Sequence, residues 1–207
     1  MKKSASRSKT SNEKQGLLVL LSAPSGCGKT TLVNRLLQRH PQWVRSISVT
    51  TRPVRVGEKP GKDYEFISSK EFESLKEKGE FLEWAKIFGQ CYGTRWAPIE
   101  RSLKKGSHVV LAIDIQGARS VRRKLGKKAP LLSIFVLPPS VQVLRERLEG
   151  RKTDSPEEID KRIDRAQEEI KAASEYDSTV VNRNVEETIR DLEEMISTFE
   201  RKLKGGK

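Results

Sequence analysis

Leu17-Leu18-Val19-Leu20-Leu21-Ser22-Ala23-Pro24-Ser25-Gly26-Cys27-Gly28-Lys29-Thr30-Thr31 sets the architecture of this chain. Leu17 to Leu21 carry no charge, as a strand buried on both faces requires. Small residues follow from Ser22 to Gly28, and after Lys29-Thr30-Thr31 the residues Leu32, Val33, Leu36 and Leu37 recur at helical spacing. The stretch therefore predicts strand, glycine loop and helix. Ala23 to Thr30 lies one residue from the pattern G-x-x-x-x-G-K-[ST], with Ala23 at the first glycine. A single methyl is tolerable there unless the position needs a positive φ. Gly26 and Gly28 let main-chain NH groups converge on a phosphate at the positive end of the helix. Lys29 then reaches the outer phosphates, and the Thr30 hydroxyl suits Mg²⁺. An ordinary flexible turn is the simpler alternative, but it does not call for this eight-residue match in this setting.

A length of 207 residues suits one α/β domain with a substantial core. No stretch approaches a membrane span, and no apolar leader follows Met1, so the cytoplasm is the expected address. Cys27 and Cys91 make no disulfide framework, and Cys27 reads as small filler beside the loop. The net charge of +13 raises nucleic acid as a partner, yet the two ends, 1–15 and 201–207, supply +8 of it. The Ser- and Lys-rich extension over 1–15 has no periodicity and reads as disordered, with a second basic tail at 204–207. A core that holds two anionic nucleotides has its own reason to be positive. Nucleic acid is therefore not expected.

The first helix should end near His40-Pro41, because a proline disfavours helical geometry in the residue before it. A strand is expected over Val44 to Val49 and a helix over Ser69 to Lys78, capped by Ser69. Between them, Arg52 and Arg55 lie three apart in a loop extended by Pro53, and arginine forks suit phosphate oxygens. Trp96 to Lys105 reads as a helix, and His108 to Ile113 as a buried run ending in Asp114, a placement that suits Mg²⁺. Leu131 to Leu137 and Ser178 to Val181 read as strands. Helices are expected from Ser140 to Gly150, from Pro156 to Ala173 and from Val185 to Leu203, the last two with apolar stripes.

Taken with Glu80-Phe81-Leu82-Glu83-Trp84 and Tyr92-Gly93-Thr94, these motifs stand in the order of the guanylate kinase family, which the chain resembles from about Leu17 to Phe199. The resemblance implies a parallel-sheet core over residues 16–203, flanked by helices. A small mixed β subdomain for GMP at about 48–98 and a helical lid at about 147–175 complete it. It implies that residues 23–31 and Asn182 hold ATP. Ser48, Arg52, Arg55 and Tyr64, with Tyr92, would take the GMP phosphate, while Glu83 and Thr94 read the base. Lys29 and the lid arginines Arg147, Arg151 and Arg162 would serve transfer, and Thr30 and Asp114 the metal. Two positions depart from the family pattern: Ala112 stands where a second acid is frequent, and Arg183 follows Asn182 where an acid is frequent.

An ionised Glu83 could accept from the ring NH and the exocyclic amine of guanine, whereas adenine presents a bare acceptor there. A site built for such a bond rejects the analogue lacking it by factors of about 10⁴. Three rivals remain: a catalytically silent binding module of the same fold, a nucleic-acid binder and another nucleotide kinase. The intact Gly28-Lys29-Thr30 and the lid arginines argue against the first, and the charge distribution against the second. Glu83 with Thr94 argues against an adenylate acceptor. No obligatory protein partner is implied.

Overall fold

The computed structural model describes residues 15–55, 57–87, 89–126, 128–150 and 155–205. The basic extension falls outside them apart from Gln15, as do residues 206–207 and Arg151. In chain order come β1 (Leu18–Ser22), α1 (Lys29–Arg39), β2 (Val44–Arg45), β3 (Ser48–Thr50) and β4 (Tyr64–Phe66). They are followed by α2 (Ser69–Glu77), β5 (Phe81–Ile87), β6 (Gln90–Arg95), α3 (Trp96–Lys104) and β7 (Val109–Ala112). Next come α4 (Ile115–Leu125), β8 (Leu131–Leu137), α5 (Val141–Glu149) and α6 (Pro156–Lys171), then a 3₁₀ turn (Ala172–Glu175), β9 (Ser178–Val181) and α7 (Val185–Gly205).

Five strands form an all-parallel sheet in the order β2-β7-β1-β8-β9. β1 lies at its centre, so every residue of Leu18–Ser22 is buried. Strand alternation sends its side chains to opposite faces. Val19 and Leu21 pack with Leu32, Leu36, Leu144 and Ile189, and Leu18 and Leu20 with Leu103, Leu111, Val121 and Phe135. At about 1.5–3 kcal/mol for each buried aliphatic side chain, Leu18 to Leu21 together contribute roughly 6–12 kcal/mol. No helix among the described residues is long and apolar enough to cross a membrane.

A second, mixed sheet has the order β4-β3-β6-β5, with β3 parallel to β4 and antiparallel to β6. Its own small core is Val49, Phe72 and Phe81, with the two phenyl rings stacked 4.5 Å apart. Gly93 must lack a side chain, because a Cβ there would lie 2.8 Å from the Phe81 ring. α4 links the two sheets: Lys124 donates to the Phe81 carbonyl, while Arg119 and Arg122 hold Glu175 of the 3₁₀ turn.

Four expectations change. The strand expected over Val44 to Val49 is divided, because Val44 and Arg45 pair with β7 whereas Ser48–Thr50 pair with β4 and β6. One short stretch thus serves two sheets. The cap of α2 is Ser68 and not Ser69: Ser68 Oγ accepts from Glu71 N (3.2 Å), and the Glu71 carboxylate accepts from Ser68 N (2.8 Å). Ser69 has Phe72 three residues on, which cannot return the bond. β7 stops at Ala112, and Asp114 instead caps α4, its Oδ1 accepting from Gly117 N at 2.8 Å. The helix from Pro156 ends at Lys171 and tightens into the 3₁₀ turn.

Candidate functional site

The phosphate loop runs from the end of β1 to the start of α1. Gly26 and Gly28 have φ of 90° and 82°, a region where other residues are strained. Space forbids side chains as well: a Cβ would lie 2.8 Å from Leu144 Cδ1 at Gly26 and 2.8 Å from Asn182 Nδ2 at Gly28. Ala23, at the first glycine of the pattern, is buried and packs in the core. Cys27 is fully buried, and burial pushes its thiol up to about 12, so it acts as filler rather than as a nucleophile.

Asn182 braces this loop. It is 3% exposed; its Nδ2 donates to the Cys27 carbonyl (2.8 Å) and its Oδ1 accepts from Thr188 Oγ1 (3.2 Å). In a trans peptide the C=O and N–H point opposite ways. Pinning the Cys27 carbonyl toward Asn182 therefore aims the Gly28 N–H away from it. Asn182→Asp sets an oxygen against that carbonyl, and denaturant unfolding is expected to show a loss of about 1–3 kcal/mol. Asn184→Asp is expected to stay within about 0.5 kcal/mol, because Asn184 Oδ1 caps α7 by accepting from Glu186 N and an aspartate can do the same.

Lys29 donates from Nζ to the Ile113 carbonyl at 3.1 Å. Burial pulls its ammonium below the ordinary range, and the Asp114 carboxylate opposes that pull. Lys29, Thr30 and Asp114 line one wall of a cleft of about 640 Å³. The opposite wall comes from the second sheet: Ser48, Tyr64, Glu83 and Tyr92. A second cleft, between β9 and α7, sets three acids, Asp177, Asp191 and Glu194, against one lysine, Lys202, and is lined by no residue of the phosphate loop. The first cleft is therefore the candidate site.

Glu83 and Thr94 face each other across β5 and β6, and Thr94 Oγ1 donates to Glu83 Oε1 at 2.5 Å. Glu83 is 8% exposed, and burial raises its carboxyl to about 7 even though the Thr94 hydroxyl pulls the other way. Gly117 leaves room beside it, since a Cβ there would lie 3.2 Å from Glu83 Oε2. A buried carboxylate that lines the cleft beside a hydroxyl has the chemistry to accept from NH donors of a ligand.

Tyr64 and Tyr92 meet edge to face with centroids 6.1 Å apart, and the Arg52 guanidinium lies 5.5 Å from the Tyr64 centroid. Arg52 backs the wall of the cleft, whereas Arg55 is exposed on the loop beside it. Arg147 donates from Nη2 to the Asn182 carbonyl at 2.9 Å, near the phosphate loop, and Arg162 lies on α6. Arg151 lies outside the described residues. Arg45, Ser46, Glu58, Asp63, Ala85 and Ile87 also line the cleft, and no sequence motif singled them out. Glu58 alone carried a signal, three residues after Arg55 in the arginine loop.

Among the described residues no group of three or more His, Cys, Asp or Glu could hold a metal by itself. The donor set does fit Mg²⁺, which keeps several waters and takes one or two side chains besides phosphate oxygens. Thr30 supplies a hydroxyl, and Asp114 keeps Oδ2 while Oδ1 caps α4.

The guanylate kinase family model matches residues 15–199. A guanylate kinase of Novosphingobium aromaticivorans is 46% identical over 184 residues, 89% of this chain and 82% of that protein. One of Trichodesmium erythraeum is 44% identical over 184 residues, covering 89% and 97%. The crystal structure of guanylate kinase from Anaplasma phagocytophilum superposes with a TM-score of 0.72 at 34% identity, covering 89% of this chain and 86% of that one.

Proposed function

This chain belongs to the guanylate kinase family, and from that premise we propose that it moves the terminal phosphoryl group of ATP to GMP by direct in-line attack, releasing ADP and GDP. One observation carries the reading. Lys29 and Thr30, at the end of the phosphate loop, line the same cleft as the buried Glu83, whose Oε1 accepts from Thr94.

In this reading, loop NH groups and Lys29 hold the donor phosphates. Ser48, Arg52, Arg55, Tyr64 and Tyr92 hold the acceptor phosphate, and Glu83 with Thr94 fixes the guanine edge. A GMP phosphate oxygen bonds to the γ-phosphorus as the bond from that phosphorus to the β-bridging oxygen breaks, and the electron pair leaves with ADP. The attacking oxygen is already ionised near neutral pH, so no general base is needed. Arg147, Arg151 and Arg162 close over the phosphoryl group and stabilise its charge, with residues 147–175 acting as a lid that excludes water. Asn182 lies at the adenine side. Thr30 and Asp114 are the residues to hold Mg²⁺, which when bound neutralises charge on the donor phosphates.

The test couples ADP release to a readout and offers GMP, AMP, CMP and UMP in turn with ATP. Turnover is expected with GMP alone. Comparable turnover with AMP would overturn the base assignment.

A further inference from the structure

Glu58 is an acid standing in the part of the cleft that Ser48, Tyr64 and Tyr92 give to a phosphate, where a carboxylate should repel the ligand. Its contacts explain its presence. Oε1 accepts from Arg52 Nη2 at 2.6 Å, and Oε2 accepts from the Arg55 main-chain N at 2.8 Å. The Glu58 N–H returns a bond to the Arg55 carbonyl at 3.1 Å, so Glu58 ties the Arg55 main chain and grips an arginine side chain at once. The pair is sheltered, with side-chain exposures of 10% for Arg52 and 20% for Glu58.

Arg52 is held from three sides. Nη1 donates to the Pro53 carbonyl at 2.7 Å, Nη2 to Glu58, and the plane lies near the rings of Tyr64 and Phe66 at 5.5 and 5.8 Å. With both terminal nitrogens anchored the fork cannot rotate, and its remaining N–H donors keep a fixed direction. A guanidinium with five donors can serve a carboxylate and a phosphate together. The Glu58 carboxyl lies below its usual range because of the bonds from Arg52 and from the Arg55 main chain, so it stays charged at neutral pH.

We propose that Glu58 is a positioning residue of the acceptor site: it pre-aims Arg52, and holds the Arg55 main chain beside it, so that a nucleoside monophosphate's phosphate meets a fork already in place. The proposal rests on the assignment of GMP to this cleft and adds to it. It predicts that Glu58 acts on the phosphate half of the ligand and not on the base.

The experiment compares GMP with guanosine, which lacks the phosphate, on the wild type, Glu58→Gln and Arg52→Ala. Calorimetry gives affinities, and the coupled assay gives KM and kcat. Glu58→Gln is expected to weaken GMP about tenfold, mostly in KM for GMP, with guanosine affinity and KM for ATP within twofold of wild type. Unchanged or tighter GMP binding would overturn the proposal, since the carboxylate would then be idle or a competitor. Equal losses for GMP and guanosine would also overturn it, because the defect would be general damage to the subdomain. Arg52→Ala separates this from the underlying assignment. If it weakens GMP while Glu58→Gln does not, Glu58 alone is misassigned; if it leaves GMP untouched, the placement of the phosphate fails.

Discussion

Lys29→Met is expected to cut turnover by roughly 10²–10³, the cost of removing one preorganised donor to a phosphoryl transition state, while leaving the melting temperature of the nucleotide-free protein unchanged or higher. The two halves of this result come from one geometry. Lys29 Nζ donates to a main-chain carbonyl, Ile113 O, at 3.1 Å, and burial shifts its ammonium below the ordinary range. A cation whose folded-state pKa is lowered is less favourable in the fold than in the unfolded chain at neutral pH. Its removal therefore relieves the empty protein, and methionine keeps most of the stem volume. In the proposed function the ammonium would gain phosphate partners when a triphosphate enters, which would offset its cost. A coupled assay and a thermal melt on the same preparation check both halves. Equal losses of activity and stability would mark Lys29 as structural.

The parts of this molecule most legible in its sequence are those where one physical demand acts alone. Leu131 to Leu137 is a strand with the bounds its apolar run suggested, because burial dictated its composition, and Ser178 to Val181 keeps its expected bounds although only Val180 is buried. The phosphate loop was legible because glycine at 26 and 28 answers both a positive φ and a lack of space. Signals failed where two demands overlapped. In α4 the buried face, Gly117, Ala118, Val121 and Leu125, begins with a glycine and is interleaved with Arg119, Arg122, Arg123 and Lys124, so its helical period was hidden. Residues 44–49 satisfied a strand pattern yet served two sheets. The site needed more than pattern. Glu83 and Thr94 are eleven residues apart, and only the β5–β6 register makes them neighbours. Resemblance named them, and pairing explains them. Glu58 had only its place in the arginine loop to mark it, since a carboxylate in a phosphate site contradicts the charge argument until its bonds to Arg52 and Arg55 are seen.

Glu83 should make guanine binding strongly pH-dependent, and the direction follows from its shifted carboxyl. In the empty protein it titrates near 7, raised from 4.5 mainly by burial. Guanine donates to the ionised form, so ligand must first draw the proton off below pH 7. Guanosine is the right probe, because the phosphate of GMP itself titrates near 6. Its affinity is expected to level off near pH 8, below the range where the guanine ring NH itself ionises, and to fall close to tenfold per pH unit well below 7, with up to one proton released on binding, visible as a buffer-dependent calorimetric enthalpy. Glu83→Gln should abolish the pH dependence and weaken guanosine by roughly one to two orders of magnitude, because an amide nitrogen then faces a ligand donor. Stability should move the other way. A carboxyl raised in the fold keeps its proton between pH 4.5 and 7 while the unfolded chain has lost it, so stability declines through that window and the full cost is present above it. That shift corresponds to about 3 kcal/mol. Glu83→Gln is therefore expected to stabilise the empty protein by up to that amount at pH 8 and to be nearly neutral at pH 4, as denaturant melts at the two pH values would show. Guanosine binding that is level from pH 6 to 8 would mean that Glu83 does not receive the base.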